Sequence, residues 1–237
     1  MTIEDKKSTK KTADSMLIEY AKKECWLFCD NQNEPYAKIL VDRHIETWGI
    51  HSQGFGDLLR SWYFKKTKRG VNQSQLDSAI MTISAIANYD GHREDVYLRV
   101  AQIEETIYID MCDKNWSVIE VTNGGWSVID SAPVAFTRTN NMKPLPYPIG
   151  GNGVKYLLKH INIQEEELPL LTGWLLMALQ AGEGAYPSLL INGPAGSGKS
   201  TACRMIRSLI DPNKADLLTQ PSISDLRIVG LNNPILA

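Results

Sequence analysis

The sequence is poor in cysteine, has no strong excess of charge of either sign and contains no long uninterrupted apolar run. Its four cysteines include no Cys-x-x-Cys pair. Cys25 and Cys29 are spaced as if one helical turn apart in an apolar segment, which argues against metal ligation. We therefore expect buried, reduced thiols of the kind found in cytoplasmic proteins. Because the formal net charge is only −2, attraction to nucleic acid would have to come from a local basic patch.

The lack of a long apolar run argues against a membrane segment. The longest such run, residues 168–181, is interrupted by Pro169, Thr172 and Gly173 and is too short to cross a bilayer. The first dozen residues are polar and rich in lysine, unlike a secretory signal. We therefore expect a cytoplasmic protein that does not bind membranes. Its 237 residues, of which 43% are hydrophobic, are enough for one large or two small domains.

What the sequence does contain is a complete GxxxxGK(S/T) motif at residues 193–200. Its glycines allow backbone N–H groups to converge on an anion, Lys199 would reach the β- and γ-phosphates of a nucleotide, and the Ser200 hydroxyl would bind Mg²⁺. An apolar run at 188–191 precedes the motif and a half-buried helical pattern follows it from Thr201, which is the context that a phosphate-binding loop requires. A glycine-rich turn that matches the motif by chance is the alternative interpretation.

We therefore predict that the chain binds ATP with Mg²⁺ at this loop, and that Lys199 is the catalytic cation. Ser200 is the predicted Mg²⁺ ligand. The predicted nucleotide-binding residues are Gly193, Pro194, Ala195, Gly196, Ser197, Gly198, Lys199, Ser200 and Thr201.

The first part of the chain carries helical and strand patterns in turn. Residues 1–12 contain four lysines and no apolar cluster, which indicates a flexible basic arm. The periodicity of apolar residues then predicts, in order, a helix over 13–29, a β-hairpin from strands 36–41 and 44–49, an amphipathic helix over 52–66, and a helix from an N-cap at Ser74 to about residue 90.

A β-rich stretch and a proline-rich connector follow. Strands predicted at 96–100, 106–111, 116–121 and 126–129 form an antiparallel meander, and Asn123-Gly124 predicts a type I′ turn because both of its central positions need a positive φ. Alternate prolines and a double glycine at 143–151 mark a domain boundary. Beyond it we predict helices at 154–160 and 165–181, a strand at 186–191, a strand beginning at 216–218, a helix at 222–230 and a strand at 234–237.

These patterns predict an α+β N-terminal domain followed by an incomplete α/β P-loop NTPase domain. The predicted divisions are a flexible basic arm with the first helix at 1–34, an α+β accessory domain at 35–142, a linker at 143–152, and the N-terminal part of the ATPase domain at 153–237.

Several short segments together resemble the helicase-like ATPases of phages, plasmids and integrated elements, a group with primase-helicases akin to superfamily 3 helicases. The resemblance covers residues 35–237, and only the phosphate loop is specific by itself. It implies an ATPase core of AAA+-like type that assembles as a ring of identical subunits and moves along single-stranded DNA during DNA replication. The segments that carry it are 35–37 (PYA), the helix around 55–63, 107–113 (IYIDMCD), Gly125-Trp126, the connector and the loop.

One part of the family pattern is missing. No run of four apolar residues followed by Asp occurs after Ser200, whereas the family's second acidic motif is a strand that ends in a metal-ordering aspartate. We interpret Asp211, Asp216 and Asp225 as surface groups. We therefore expect the N-terminal part of a longer ATPase, which binds ATP but lacks the acidic residue and the arginine finger needed for rapid hydrolysis.

A basic segment near the end of the helix at 52–66 is the candidate contact for single-stranded DNA. Its cations are interleaved with Trp62, Tyr63 and Phe64, the mixture of charge and rings that single strands bind. The alternative is a core tryptophan beside lysines that favour a helix C-terminus. The cations are Arg60, Lys65, Lys66, Lys68 and Arg69.

Two other functions remain open at this point. A nucleotide or small-molecule kinase would use the same loop, although such kinases usually carry it near the N-terminus, and here fewer than forty residues follow it. A non-catalytic module that uses ATP to organise subunits is the third possibility.

Overall fold

The computed structural model describes residues 11–151, 153–180, 186–215, 217–218, 222, 230 and 234–235. The chain forms two compact units, Met1–Asp95 and Val96–Ala237. The predicted linker at 143–152 lies inside the second unit. Apart from residues 11 and 12, the predicted basic arm falls outside the described residues.

The first unit is a four-stranded sheet with three helices. The strands are arranged in the order β3-β2-β1-β4, with β2 antiparallel to both of its neighbours and β4 parallel to β1. The predicted hairpin is β2 and β3. In chain order the elements are α1 Ala13–Glu24, β1 Cys25–Cys29, β2 Pro35–Val41, β3 His44–Gly49, α2 Gln53–Thr67, α3 Gln73–Tyr89 and β4 His92–Arg93.

The helices of this unit follow the predicted apolar spacing. Phe55 and Leu59 of α2 are fully buried in one core with residues from α1, α3 and the sheet. The Ser52 hydroxyl accepts a hydrogen bond from the backbone N–H of Phe55, which starts α2 as an N-cap. The N-cap of α3 is Asn72, whose side chain accepts from the N–H of Gln75. The predicted cap at Ser74 is therefore two residues too late.

The predicted helix over 13–29 is wrong in its last turn. The helix ends at Glu24, and the segment Cys25–Cys29 is a strand that pairs antiparallel with β2, Cys25 opposite Ile39. The backbone N–H and C=O groups of this aromatic-rich segment form their hydrogen bonds within the sheet. This pairing outweighs the helical spacing of its apolar residues. Both cysteines are buried free thiols, and burial raises the pKa of Cys25 to about 12.

The second unit opens with the predicted antiparallel meander, in the strand order β6-β7-β8-β9. The predicted strand at 96–100 is divided in two, and its first half pairs parallel with β10. A two-residue connection joins β8 to β9, but the positive φ of 132° belongs to Gly125 and not to Asn123 or Gly124, so the turn is not type I′. The strands are β5 Val96–Tyr97, β6 Val100–Ile103, β7 Thr106–Asp110, β8 Val118–Thr122, β9 Gly125–Ile129 and β10 Ala135–Phe136.

The remaining regular elements of the described second unit are helices. α4 (Gly153–Tyr156) continues into a 3-10 turn at Leu157–Lys159, a second 3-10 turn at Glu165–Glu167 leads into α5 (Leu168–Ala178), and α6 is Lys199–Ile210. An apolar core joins α5 to α6 and contains Ile161, Leu171, Leu175, Ala202, Ile206 and Ile210.

One predicted strand of the ATPase part is absent from the described residues. Residues 186–191 form no regular strand, because no partner strand among the described residues supplies their ladder hydrogen bonds. The predictions at 216–218, 222–230 and 234–237 fall largely outside the described residues. The architecture is therefore mixed α and β, with several sheets and helices.

Candidate phosphate-binding loop

The loop at 193–198 connects an extended segment to α6 and contains two glycines in the left-handed region. Gly196 has a φ of 79° and Gly198 a φ of 83°. A Cβ atom at either position would meet nothing within 4 Å, so the reason for glycine here is backbone conformation and not space. On one side of the loop, Leu189 and Ile191 are partly buried against the core that also holds α6.

Helix α6 begins directly after this loop. Gly198 is its N-cap, and the carbonyl of Gly198 accepts a hydrogen bond from the N–H of Ala202 at 2.9 Å. Buried Ala202, Ile206 and Ile210 hold one face of the helix in the core. The first N–H groups of the helix have no intrahelical acceptor, and with the dipole they favour an anion at this end.

The Lys199 side chain folds back over the loop. Its Nζ donates to the carbonyl oxygens of Gly193 at 2.8 Å and Pro194 at 2.7 Å. The ammonium group is thus held above the loop, at the end of α6 where the N–H groups emerge. A bound phosphate would exchange for one or both of these neutral acceptors and form a stronger, charge-assisted hydrogen bond.

The remaining loop residues are largely exposed. Pro194, Ala195, Ser200 and Thr201 are exposed, and Ser197 is half-buried with its N–H donating to the carbonyl of Pro194 at 3.3 Å. Ser200 lies in the first turn of α6 with an exposed side chain. The described residues contain no group of three or more His, Cys, Asp or Glu that could hold a metal ion.

A cavity of about 250 Å³ adjoins the loop. Its walls are mainly apolar and come from the segment before α5, from α5 itself and from the extended segment before the loop. At its loop end it reaches Gly198 and Lys199. Among the lining residues are Ile161, Asn162, Ile163, Leu171, Leu189 and Ile191.

The structure corrects the interpretation of Asp211, which lies at the other end of α6. It is not a surface group but is fully buried, and its carboxylate accepts hydrogen bonds from Arg99 at 3.2 Å and Arg207 at 3.4 Å. A buried carboxylate between two guanidinium groups is a structural ion pair and not a free metal ligand. The spacing of Arg207 and Asp211, four residues apart, was a usable local signal. Asp216 and Asp225 lie outside the described residues.

Sequence reasoning missed Arg99 altogether. Arg99 is only 1% exposed and is the largest fully buried side chain of the described residues. Its Nη1 donates to the carbonyl of Asp110 in β7 at 3.1 Å, and its Nη2 donates to the carbonyl of Lys143 at 3.1 Å as well as to Asp211. An arginine between Leu98 and Val100 gives no local indication of a partner 112 residues away.

The basic patch belongs to the first unit, at the end of α2. Trp62 is partly buried against the core and stacks on Tyr20 with ring centroids 4.1 Å apart, which favours the alternative interpretation of this side chain. Arg60 is half-buried and is engaged by Asp57 and Gln73. The groups left at the surface are Phe64, which is 55% exposed, and Lys65, Lys66, Lys68 and Arg69.

Within the described part of the chain, no helix is both long and apolar enough to cross a membrane. Comparison of the sequence and structure with protein-family models, with curated proteins and with solved structures finds no match.

Proposed function

We propose that the chain is the ATP-binding part of a P-loop NTPase and holds Mg-ATP at residues 193–201. The observation that carries the proposal is the arrangement of Lys199, whose Nζ lies over two loop carbonyls at the point where the N–H groups of α6 emerge. Two left-handed glycines give the loop the backbone shape that such a cradle needs. These features are those that phosphate recognition requires.

In this proposal each group has a separate role. Backbone N–H groups of the loop and the first turn of α6 donate to the α- and β-phosphates, Lys199 pairs with the terminal phosphates, and the Ser200 hydroxyl binds Mg²⁺. The base lies in the cavity beside the loop, where its faces meet the side chains of Ile161, Ile163 and Leu171. Apolar walls suit a flat aromatic ring, so the adenine of ATP gains affinity by leaving water.

The proposal separates binding from catalysis. Asp211 is bound by two arginines and lies at the far end of a 12-residue helix, about 18 Å from the loop at 1.5 Å per residue. It is therefore too distant to order the waters of a Mg²⁺ ion held at Ser200. We propose that this chain binds ATP but by itself hydrolyses it slowly, because the loop supplies only part of the charge stabilisation that phosphoryl transfer needs.

The wider context that we propose is a replication helicase of a mobile element, acting on single-stranded DNA as a ring of identical subunits. Its support is the resemblance given by the segments from 35–37 to the phosphate loop. The exposed cations at the end of α2 are the surface that would meet the DNA backbone.

Titration calorimetry with ATP and Mg²⁺ tests the central proposal. We expect Lys199→Ala to weaken binding at least tenfold, because it removes the side-chain cation held above the loop. The matched control is Lys155→Ala, since Lys155 is also a lysine of the second unit and lies at the surface, on α4. The control should bind like the wild type. Equal affinity in all three proteins, or no binding by the wild type, would show that the loop is not a nucleotide site.

A further inference from the structure

Helix α6 is anchored at the end opposite to the phosphate loop. The helix begins at Lys199 and is followed directly by Asp211, whose carboxylate is fully buried. Arg207 is itself part of α6, so its bond to Asp211 moves with the helix. Arg99 lies between β5 and β6, in the β-rich part of the unit. Its ion pair with Asp211 therefore connects the end of α6 to another element.

The guanidinium of Arg99 joins three segments at once. It bonds the carbonyl of Asp110 at the end of β7, the carbonyl of Lys143 in the proline-rich connector, and the carboxylate of Asp211. A planar group with several fixed donors can satisfy acceptors from three directions in this way, whereas a lysine offers one point charge. A meander strand, the connector and α6 therefore share one buried cation.

Backbone hydrogen bonds strengthen the same junction. Lys143 N–H donates to the carbonyl of Pro212 at 2.8 Å, and Lys214 N–H donates to the carbonyl of Asn141 at 2.8 Å. Leu145 N–H donates to the carbonyl of Met111, just beyond β7, also at 2.8 Å. The chain that leaves α6 is thus bonded to the connector, and the connector is bonded to the meander.

We propose that Arg99 is a positioning residue for the nucleotide site. By binding Asp211, Arg99 fixes the position of α6, the helix that follows the phosphate loop. It therefore couples nucleotide binding to the meander. This inference rests on the function proposed above. A helix moves nearly as a rigid rod, so a shift at its C-terminal end displaces the N–H groups at its N-terminal end. Phosphate recognition depends on those groups being held to within about 0.5 Å.

The first test compares two buried arginines. Arg99→Met keeps much of the side-chain volume but removes the bonds to α6. Arg138→Met is the matched control, because Arg138 pairs with the buried carboxylate of Asp110 in the same unit but makes no bond to α6 or to residues 211–215. Both changes should lower the melting temperature. Only Arg99→Met should raise the Kd for Mg-ATP, by about tenfold, when each protein is assayed at a temperature at which it is folded.

The second test needs no variant. Because coupling free energies are reciprocal, Mg-ATP must stabilise the junction if the junction stabilises the bound form. Hydrogen exchange of the wild-type chain should therefore slow on addition of Mg-ATP at the N–H of Asp110, which donates to the carbonyl of Arg99 at 2.8 Å, and at neighbouring amides of β6 and β7. This result does not depend on whether Arg99→Met folds.

The outcomes separate this inference from the function on which it rests. If the wild type does not bind Mg-ATP, the proposed function fails and the coupling fails with it. If the wild type binds, but Arg99→Met and Arg138→Met share its Kd, or exchange in β6 and β7 is unchanged by nucleotide, then Arg99 has a structural role only. In that case the positioning inference is overturned while the nucleotide site stands.

Discussion

At the scale of single residues, the phosphate loop depends on backbone conformations that only glycine adopts without strain. Gly198 has a φ of 83° and caps α6. An alanine there would cost about 1–2 kcal/mol in the left-handed region. We predict that Gly198→Ala weakens Mg-ATP binding about tenfold, as relaxation of the loop turns its N–H groups away from the phosphates. Calorimetry measures the change directly.

Gly150 provides the control for this prediction. An alanine at Gly150 would also meet nothing within 4 Å, and its φ lies outside the left-handed region. Gly150→Ala should therefore leave the affinity unchanged. If Gly198→Ala keeps the same affinity as Gly150→Ala, the loop tolerates a left-handed alanine and its shape does not govern binding.

A second residue-scale prediction concerns pH. Burial raises the pKa of Cys25 from 9.0 to about 12, so the folded chain keeps this proton at pH values at which the unfolded chain releases it. The unfolded state is then favoured as the pH rises from about 9 towards 12, with a slope of at most about 1.4 kcal/mol per pH unit from this group. Urea unfolding at pH 8 and pH 10 should show lower stability at pH 10. The decrease should be smaller in Cys25→Ala, and an equal decrease would contradict the assignment.

At the scale of elements, the end of α2 is the surface that we expect to bind single-stranded DNA. Between Asp57 and Asp77 the chain has five cations and no carboxylate. We predict that changing Lys65, Lys66 and Lys68 to Glu weakens binding strongly and reduces the magnitude of the salt slope by about 2, because three phosphate contacts are lost. Phe64→Ala should cost about 1–3 kcal/mol without changing that slope, since a stacked base is uncharged.

Fluorescence anisotropy with labelled oligonucleotides across a salt series measures both effects. The charge-matched control changes three exposed lysines of the second unit to Glu, namely Lys155, Lys159 and Lys214. If that control loses as much affinity as the α2 variant, the attraction is a general effect of net charge and the patch is not a binding surface.

Elements with a strong local pattern were predictable from the sequence. The spacing of Phe55 and Leu59 gave α2, and the short polar turns gave the meander. β1 was missed because an apolar run of five residues suits a buried strand or a helix equally well, and pairing with β2 decides between them.

The phosphate loop could be predicted because its motif consists of neighbouring residues in the sequence. The ion pair of Arg99 and Asp211 has no such motif, since its members meet only in the folded unit.

At the scale of the whole molecule, the boundary between the two compact units falls between Asp95 and Val96, and the predicted boundary at the proline-rich connector lies within the second unit. A shortened chain that begins at Val96 keeps Arg99 and the meander, so we predict that it folds and binds Mg-ATP like the full chain. A chain that begins at Gly153 keeps the loop and α6 but loses Arg99. It also loses the backbone hydrogen bonds that join Lys143 to Pro212 and Asn141 to Lys214, so the C-terminal end of α6 has no anchor and we expect this shorter chain to be unfolded.

Circular dichroism and calorimetry on both shortened chains check this prediction. A folded, nucleotide-binding chain from residue 153 onward would show that the ATPase part is independent of the meander. It would support the predicted boundary between domains at the connector.

The distance along the chain between Arg99 and Asp211 also bears on how the protein is made. Synthesis proceeds at about 5–20 residues per second, so the 112 residues that separate the partners take about 6–22 s to add. Throughout that interval Arg99 lacks its partner Asp211, and the bonds that join α6 to the meander and the connector cannot form. The first unit is complete in sequence before the interval begins. The nascent chain therefore carries a folded first unit and an unfinished second one, and α6 is the last of the six described α-helices to be fixed in place.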